Sequence, residues 1–146
     1  MKETNDLSSG WKIPDIRWKP VGLGYAVGLL STLVAGLPLL VIMGNSWLMA
    51  LAGSIGLFIG GLVTGRRVGP SLSLVNGALM AMLYNLTVSI LFFIGSFLQV
   101  LPEPLPGLPQ GDSTFFFAWP LGQFVIGIFS AILGSRLHSS SPRSKV

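Results

Sequence analysis

The chain has 146 residues, of which 51% are apolar and only 10% are charged, and it carries a net charge of +4. A soluble domain usually contains about 25% charged residues, so this composition excludes an ordinary water-soluble domain. Cysteine is absent, which excludes disulfides, thiolate metal sites and cysteine nucleophiles.

Charged residues are missing from three long blocks of the sequence, residues 20–65, 68–102 and 113–135. Uncharged apolar stretches of about 18 or more residues are typical of helices that cross a lipid bilayer. We therefore predict an all-α integral membrane protein with four transmembrane helices, arranged as two hairpins within residues 20–134. The predicted spans cover about residues 21–43, 47–64, 71–98 and 115–133.

Residues 1–19 form a polar N-terminal segment in which tryptophan and basic residues are mixed. Indole rings favour the boundary of the hydrocarbon and cations reach lipid phosphates, so this segment suits the headgroup layer. Pro20 is expected to open the first helix, where its missing N–H group costs nothing. The residues expected to contact headgroups here are Trp11, Arg17, Trp18 and Lys19.

The second span carries several glycines on nearly one side and is expected to end at residues 65–67. Pairs of small residues four positions apart let two helix backbones approach closely and gain dispersion contacts. This side is predicted to pack against helix one or three of the same chain, or against a partner protein or second copy. The glycines are Gly53, Gly56, Gly60, Gly61 and Gly65.

A proline-rich connection, residues 99–114, separates the third span from the fourth. Four prolines within residues 102–109 forbid a helix and favour an extended, polyproline-like path. Its leucines favour a connection that rests on the outer membrane surface, and a docking site for a proline-binding module is the alternative. Residues 135–146 form a basic tail that is expected to be cytoplasmic.

The basic residues fall on one side of the membrane when four spans are assigned. All nine lie beside the termini or in the turn after the second span, whereas the proline-rich connection carries only Glu103 and Asp112. Cytoplasmic segments are enriched in Lys and Arg, so we predict a multi-pass cell-membrane protein with both termini in the cytoplasm. Arg66, Arg67 and Arg136 mark the cytoplasmic ends of the second and fourth helices.

Three amide side chains lie inside the predicted spans: Asn76, Asn85 and Gln123. Asn85 falls near the middle of the bilayer, where hydrocarbon offers no hydrogen-bond partner. An interhelical polar contact contributes only about 0.6 kcal/mol on average, and about 1.7 kcal/mol at most. We therefore interpret Asn85 as an interhelical structural contact rather than as a substrate ligand.

The predicted spans contain no Asp, Glu, Lys, Arg or His, and the single histidine, His138, lies in the basic tail. Proton relays and ion-coupled transport usually need such residues within the membrane, and a catalytic dyad or metal cage needs several together. We predict no enzyme activity, no catalytic residue and no metal site. No cofactor is predicted, although a larger complex could supply pigment or lipid; a chlorophyll would need Asn85, Gln123 or a water as axial ligand.

Residues 60–67 read Gly-Gly-Leu-Val-Thr-Gly-Arg-Arg and are followed by Asn76-Gly77-Ala78-Leu79. This hairpin resembles small four-helix bacterial and archaeal membrane proteins of unknown function, which share a GG-x-x-x-G-R end and a following G-A-L start. The resemblance implies a four-helix protein of a prokaryotic cytoplasmic membrane and brings no activity with it.

Two classes of function remain. The first is a non-catalytic accessory subunit or assembly factor, held in a larger membrane complex by its glycine-rich helix faces. The second is a small homo-oligomeric transporter or channel with an uncharged polar path through Asn76, Asn85 and Gln123. The expected partners are the lipid bilayer and other membrane-protein subunits or a second copy; no nucleic acid is expected, because the positive charge is explained by topology.

Overall fold

The structure is a computed structural model that describes residues 15–43, 46–98 and 113–139. Within these ranges the chain is all-α, with four helices and no strand. The helices are α1 Trp18–Met43, α2 Ser46–Val68, α3 Ser73–Phe97 and α4 Ser113–Ser139. The predictions for Trp11, for residues 99–112 and for residues 140–146 lie outside the described residues.

Three helices contain a segment that is long and apolar enough to cross a membrane, judged by length and composition. These segments are Trp18–Leu39 in α1, Ser73–Leu91 in α3 and Ala118–Leu137 in α4. The described part of α2 is not among them, and its last turn carries Arg66 and Arg67. The predicted α-helical membrane character of the chain is confirmed for these three segments.

The first helix begins earlier than the sequence pattern predicted, at Trp18 instead of residue 21. Pro20 consequently lies within the first turn, and the N–H of Val21 donates to the carbonyl oxygen of Arg17 at 3.2 Å. The first four N–H groups of a helix have no partner inside it, so the missing donor of Pro20 still costs no helical hydrogen bond.

The second helix continues one turn beyond the predicted end and includes Arg66 and Arg67 in its last turn. It ends at Val68 and is followed by Gly69, whose φ of 86° lies in the left-handed region that glycine adopts without strain. The N–H of Gly69 donates to the carbonyl oxygen of Gly65 at 3.2 Å, which satisfies one of the last helical carbonyls. Gly69, not Gly65, is therefore the glycine that terminates α2.

The fourth helix is longer than predicted at both ends. It takes in residues 113–114, which were assigned to the proline-rich connection, and residues 135–139, which were assigned to the basic tail. Arg136 is thus a helical residue. The third helix is slightly shorter than predicted, since it begins at Ser73. The hydroxyl group of Ser73 donates to the carbonyl oxygen of Pro70 at 3.0 Å.

The second helix occupies the central position in the bundle. It packs extensively against α1 on one side and α4 on the other, and α3 contacts all three other helices. The described parts of α1 and α4 do not contact each other, so α2 separates them. The most buried apolar side chains form one cluster from α1, α2 and α3: Val21, Leu57, Met80, Ala81 and Tyr84.

The outer surface of the bundle is strongly apolar. Each helix exposes large hydrophobic side chains near its middle, such as Leu30, Ile55, Met82 and Val125. The interior, in contrast, contains many small and polar residues, including Thr64 and Asn76, both fully buried. Polar groups inside and apolar groups outside is the distribution expected when hydrocarbon surrounds a protein.

Candidate functional site

Helices α1 and α2 meet through glycines, at a distance that leaves no room for side chains. A Cβ atom at Gly60 would lie 2.5 Å from the backbone oxygen of Gly24, and one at Gly56 would lie 2.6 Å from that of Gly28. A Cβ atom at Gly24 would collide with the hydroxyl group of Thr64. The α1–α2 contact is therefore backbone against backbone, as small-residue pairs permit.

Helices α2 and α4 meet in the same manner through the next pair of glycines. A Cβ atom at Gly61 would collide with the hydroxyl group of Ser130, and one at Gly65 would collide with the backbone of Ala131. From the other side, a Cβ atom at Gly134 would meet the backbone of Leu62. Both helices contribute small residues to this contact, so it is as tight as the α1–α2 contact.

The glycine side of α2 thus faces two helices of the same chain. The prediction named helix one or helix three; the structure places α1, as named, beside Gly56 and Gly60, and places α4 beside Gly61 and Gly65. Consecutive residues of a helix point about 100° apart, so the pair Gly56–Gly60 and the pair Gly61–Gly65 face different directions. Because α1 and α4 occupy both directions, these glycines are not available to a partner protein or a second copy.

A hydrogen-bond network centred on Tyr84 joins three helices in the middle of the bundle. The Tyr84 hydroxyl group of α3 lies 2.5 Å from the Thr32 hydroxyl oxygen of α1 and 2.8 Å from the carbonyl oxygen of Gly53 in α2. The Thr32 hydroxyl group also lies 2.9 Å from the carbonyl oxygen of Gly28, one turn earlier in its own helix. Tyr84 and Thr32 are both buried.

This network has three oxygen–oxygen contacts but only two hydroxyl protons, so only two of the contacts are hydrogen bonds at any one time. Either Tyr84 donates to Gly53 while Thr32 donates to Tyr84, or Tyr84 donates to Thr32 while Thr32 donates to Gly28. In each arrangement both hydroxyl groups donate, so no donor is left unpaired. The one carbonyl that receives no hydroxyl donor keeps its helical hydrogen bond. The network can therefore hold the helices together in two proton arrangements without any charged group.

Gln123 extends this polar region to the fourth helix. Its Nε2 atom donates to the hydroxyl oxygen of Ser54 in α2 at 2.6 Å. Its other amide atom, Oε1, is buried and has no hydrogen-bond partner among the described residues. Since Ser54 directly follows Gly53, all four helices contribute a polar group to one layer of the bundle. We call the residues Thr32, Gly53, Ser54, Tyr84 and Gln123 the polar layer.

Asn76 lies at the start of α3, far from the polar layer, and binds the segment that precedes α1. The backbone N–H of Arg17 donates to its Oδ1 atom at 2.7 Å, and its Nδ2 atom donates to the carbonyl oxygens of Leu72 at 2.9 Å and Asp15 at 3.5 Å. Asn76 is fully buried. Its amide therefore fixes the start of α1 to the start of α3.

Asn85 behaves differently from its prediction. It is only half-buried, and its side chain forms no hydrogen bond to the rest of the described chain. The interhelical contact expected of it is made by its neighbour Tyr84, one residue earlier. The structure therefore keeps the three predicted amides apart: Asn76 at one helix end, Gln123 in the polar layer, and Asn85 at the edge of α3.

Sequence reasoning missed the central role of Tyr84 and Thr32. A tyrosine within an apolar helix carries a signal, because its hydroxyl group must find a partner where no water is present. Tyr25 shows the same behaviour, since its hydroxyl group lies 2.9 Å from that of Thr87. Treating tyrosine and threonine as equals of the amides would have identified these contacts between α1 and α3.

The basic residues gather at one end of the bundle. Contacts of Gly24 with Gly60 and of Gly65 with Ala131 bring the start of α1 and the ends of α2 and α4 to the same end. The residues exposed there are Arg17, Trp18, Lys19, Arg66, Arg67 and Arg136. The predicted headgroup residues of the described chain therefore share one surface.

No group of three or more His, Cys, Asp or Glu side chains lies together in the described ranges. Comparison of the chain with protein-family models, with curated proteins and with solved structures gave no match. The polar layer and the glycine contacts are therefore interpreted from their own geometry.

Proposed function

We propose that this chain is a non-catalytic membrane protein that serves as an accessory subunit or assembly factor of a larger membrane complex. The observation that supports it is the tight backbone packing of the helices. Helix α2 touches α1 and α4 through backbone atoms at Gly60 and Gly65, so no side chain separates these helices at those positions. The polar layer uses its hydroxyl and amide groups to join helices to one another.

The outer surface supports the same proposal. A small bundle whose interior joins only its own helices has to act through its exterior, and the exterior is apolar around α1, α3 and α4. Large apolar surfaces on membrane helices contact lipid or the helices of other subunits. With the glycines of α2 occupied within the chain, this lipid-facing surface replaces them as the proposed partner surface.

We further propose four spans with both termini in the cytoplasm. Helix α2 lies between α1 and α4 and packs along both, so it shares their depth if they cross the bilayer. The exposed basic residues at the shared end, including Arg17, Arg66 and Arg136, support the assignment of that end to the cytoplasm. In this arrangement the small residues of α2 face protein.

Transport remains the functional alternative from the sequence, yet the geometry gives it less support. A polar path would need Asn76, Asn85 and Gln123 along one line, and these amides lie in three separate surroundings. A pigment is also disfavoured at Gln123, since a flat macrocycle would have to separate α2 from α4 to reach its buried amide oxygen.

Purification in mild detergent from the membranes of the native host tests the proposal. A tagged copy should migrate on a native gel as part of a complex much larger than the 15.5 kDa chain, with other membrane proteins in fixed stoichiometry. The purified chain in liposomes should give no solute flux above empty liposomes. Migration without other proteins, combined with saturable flux, would reverse the order of the two functions.

A further inference from the structure

The centre of α3 carries two polar side chains that the fold does not use. Asn85 lies twelve residues from each end of Ser73–Phe97, and Ser89 follows one turn later. Within the described chain, neither side chain forms a hydrogen bond, although Asn85 is half-buried and Ser89 is exposed. By contrast, Thr87, which lies between them in the sequence, forms a hydrogen bond to Tyr25; the two hydroxyl oxygens are 2.9 Å apart.

Their position places them beside lipid. Ala81, one turn before Asn85, contacts Gly127, so Asn85 lies on the edge of α3 that adjoins α4. The neighbouring side chains Met82 and Leu86 are exposed by 62% and 56%. The amide of Asn85 therefore sits at the rim of a lipid-facing surface, where hydrocarbon supplies neither a donor nor an acceptor.

We propose that Asn85 and Ser89 form a self-association surface, through which two copies of this chain pair in the membrane along α3. The α3 sequence contains no charged residue, so an ion pair does not recognise the partner. An amide side chain has both donors and acceptors. Two Asn85 side chains can therefore satisfy each other.

A second copy also meets the geometric requirement. Copies inserted in the same orientation are related by a twofold axis along the membrane normal, and such an axis brings each residue to the depth of its equivalent. Asn85 of one copy then faces Asn85 of the other at the centre of both helices. A different membrane protein would need its own polar side chain at that depth.

Cysteine cross-linking of the purified protein in phosphatidylcholine vesicles tests this surface, because the chain contains no cysteine of its own. Met82→Cys places a thiol one turn from Asn85 while keeping both polar residues. Leu30→Cys is the matched control, since Leu30 is 63% exposed near the centre of α1 and Met82 is 62% exposed. We expect rapid disulfide formation at position 82 and little at position 30.

Substitution of the amide completes the test. Asn85→Leu in the Met82→Cys background should weaken dimerisation about 3- to 20-fold, measured as a dissociation constant by energy transfer between labelled copies. Asn85→Gln, which keeps an amide, should restore most of the loss. Circular dichroism should show unchanged helix content in both variants, because Asn85 makes no hydrogen bond within the part of the chain that the structure describes.

Equal cross-linking at positions 30 and 82 would indicate random collision and overturn the proposal. Absence of cross-linking at 82 in a folded protein would do the same. So would a dissociation constant that Asn85→Leu leaves unchanged. The vesicles contain this chain alone, so failure of self-association leaves the proposed role in a larger complex to its own test.

Discussion

Tyr84 connects three helices through one hydroxyl group, and its partner Thr32 donates in either of two directions. Such redundancy changes how the site responds to mutation. When Tyr84 loses its hydroxyl group, Thr32 still donates to Gly28 and Gly53 keeps its helical hydrogen bond. The loss is then that of an interhelical contact, with no buried donor left unpaired.

We predict that Tyr84→Phe lowers the free energy of unfolding by about 1 kcal/mol, between the average of about 0.6 and the maximum of about 1.7 kcal/mol for membrane polar contacts. Unfolding in mixed detergent micelles, followed by circular dichroism, measures the change. Tyr25→Phe is the matched control, because it also removes one tyrosine hydroxyl but from a single, partly buried contact. Tyr25→Phe should lower the free energy of unfolding by less than Tyr84→Phe does.

A double-mutant cycle distinguishes a shared network from two independent contacts. The Thr32→Val, Tyr84→Phe double variant should be little less stable than the worse single variant, since both substitutions remove the same interhelical contact. Full additivity of the two losses would show that the hydroxyl groups act separately and that the network is misassigned.

Asn76 gives a second prediction at this scale. Asn76→Ala removes the oxygen that accepts the Arg17 N–H and the amide group that donates to Asp15. The segment before α1 then opens more readily, and local opening is what a protease detects. We expect faster trypsin cleavage after Arg17 in the variant, measured by mass spectrometry of the purified protein.

Cleavage after Arg136, at the end of α4, provides the internal reference for that experiment. Its rate should be unchanged by Asn76→Ala, because Asn76 makes its hydrogen bonds at the start of α1 and α3. Equal acceleration at both sites would indicate global unfolding instead of a released segment, and no acceleration after Arg17 would show that Asn76 does not hold it.

At the scale of the element, α2 carries glycines in place of larger side chains on two adjacent sides. Gly60 faces α1 and Gly61 faces α4, so the helix cannot rotate without driving a backbone into a neighbour. Larger residues would hold such a helix by interlocking side chains; here the fit of three backbones fixes its rotation.

We predict that Gly60→Ala lowers the free energy of unfolding by about 1–3 kcal/mol, the usual cost of overpacking a tight contact. The added methyl group would lie 2.5 Å from the backbone oxygen of Gly24, which is not able to move aside as a flexible side chain would. Gly61→Ala should cost a similar amount through α4.

The control is Gly22→Ala, since nothing lies within 4 Å of a Cβ atom at that position in α1. It should leave stability unchanged or raise it slightly, because alanine favours a helix more than glycine does. If Gly22→Ala and Gly60→Ala behave alike, the α1–α2 contact is looser than the structure shows.

The sequence predicted the helices better than it predicted their contacts, and α2 shows why. The spacing of its glycines predicted a tight contact, but spacing alone does not reveal which helix packs against them. The predicted end of α2 is also wrong. The sequence predicts that Gly65, beside Arg66, terminates the helix, whereas Gly69 terminates it and Gly65 packs on Ala131. A glycine suits both roles, and only three-dimensional neighbours separate them.

At the scale of the whole molecule, the arrangement of the basic end leads to a topological prediction. Cysteines introduced singly at Ser8, Gly107 and Ser140 should differ in their reaction with an impermeant thiol reagent on intact cells. We expect labelling at position 107 only, because four spans place the proline-rich connection outside. Each variant should become labelled after the cells are permeabilised.

Labelling at position 8 or 140 without labelling at 107 would overturn the proposal of four spans with cytoplasmic termini. Labelling at 8 together with 107, but not at 140, would indicate an odd number of spans and remove α2 or another helix from the set that crosses. These outcomes matter because the described part of α2 is the least apolar of the four helices by its composition.

The candidate site was predicted in part at this scale. The absence of charge from long blocks was sufficient to predict a helical membrane protein, because hydrocarbon imposes that constraint on every residue. The polar layer was harder, since its members are distant in sequence: Gln123 and Ser54 are 69 residues apart, and Tyr84 and Thr32 are 52 apart. Pairings of that kind follow from helix order and tilt.

The central position of α2 also has a consequence for how a cell makes this protein. Synthesis proceeds from the N-terminus, so α1 and α2 can pair as neighbours while α4 is still in the ribosome. With α2 in the membrane as proposed, Gly61 and Gly65 would form an uncovered groove of backbone until α4 arrives. Chains arrested at that stage would display a recognisable defect to membrane proteases and chaperones, and arrival of the last helix would remove it.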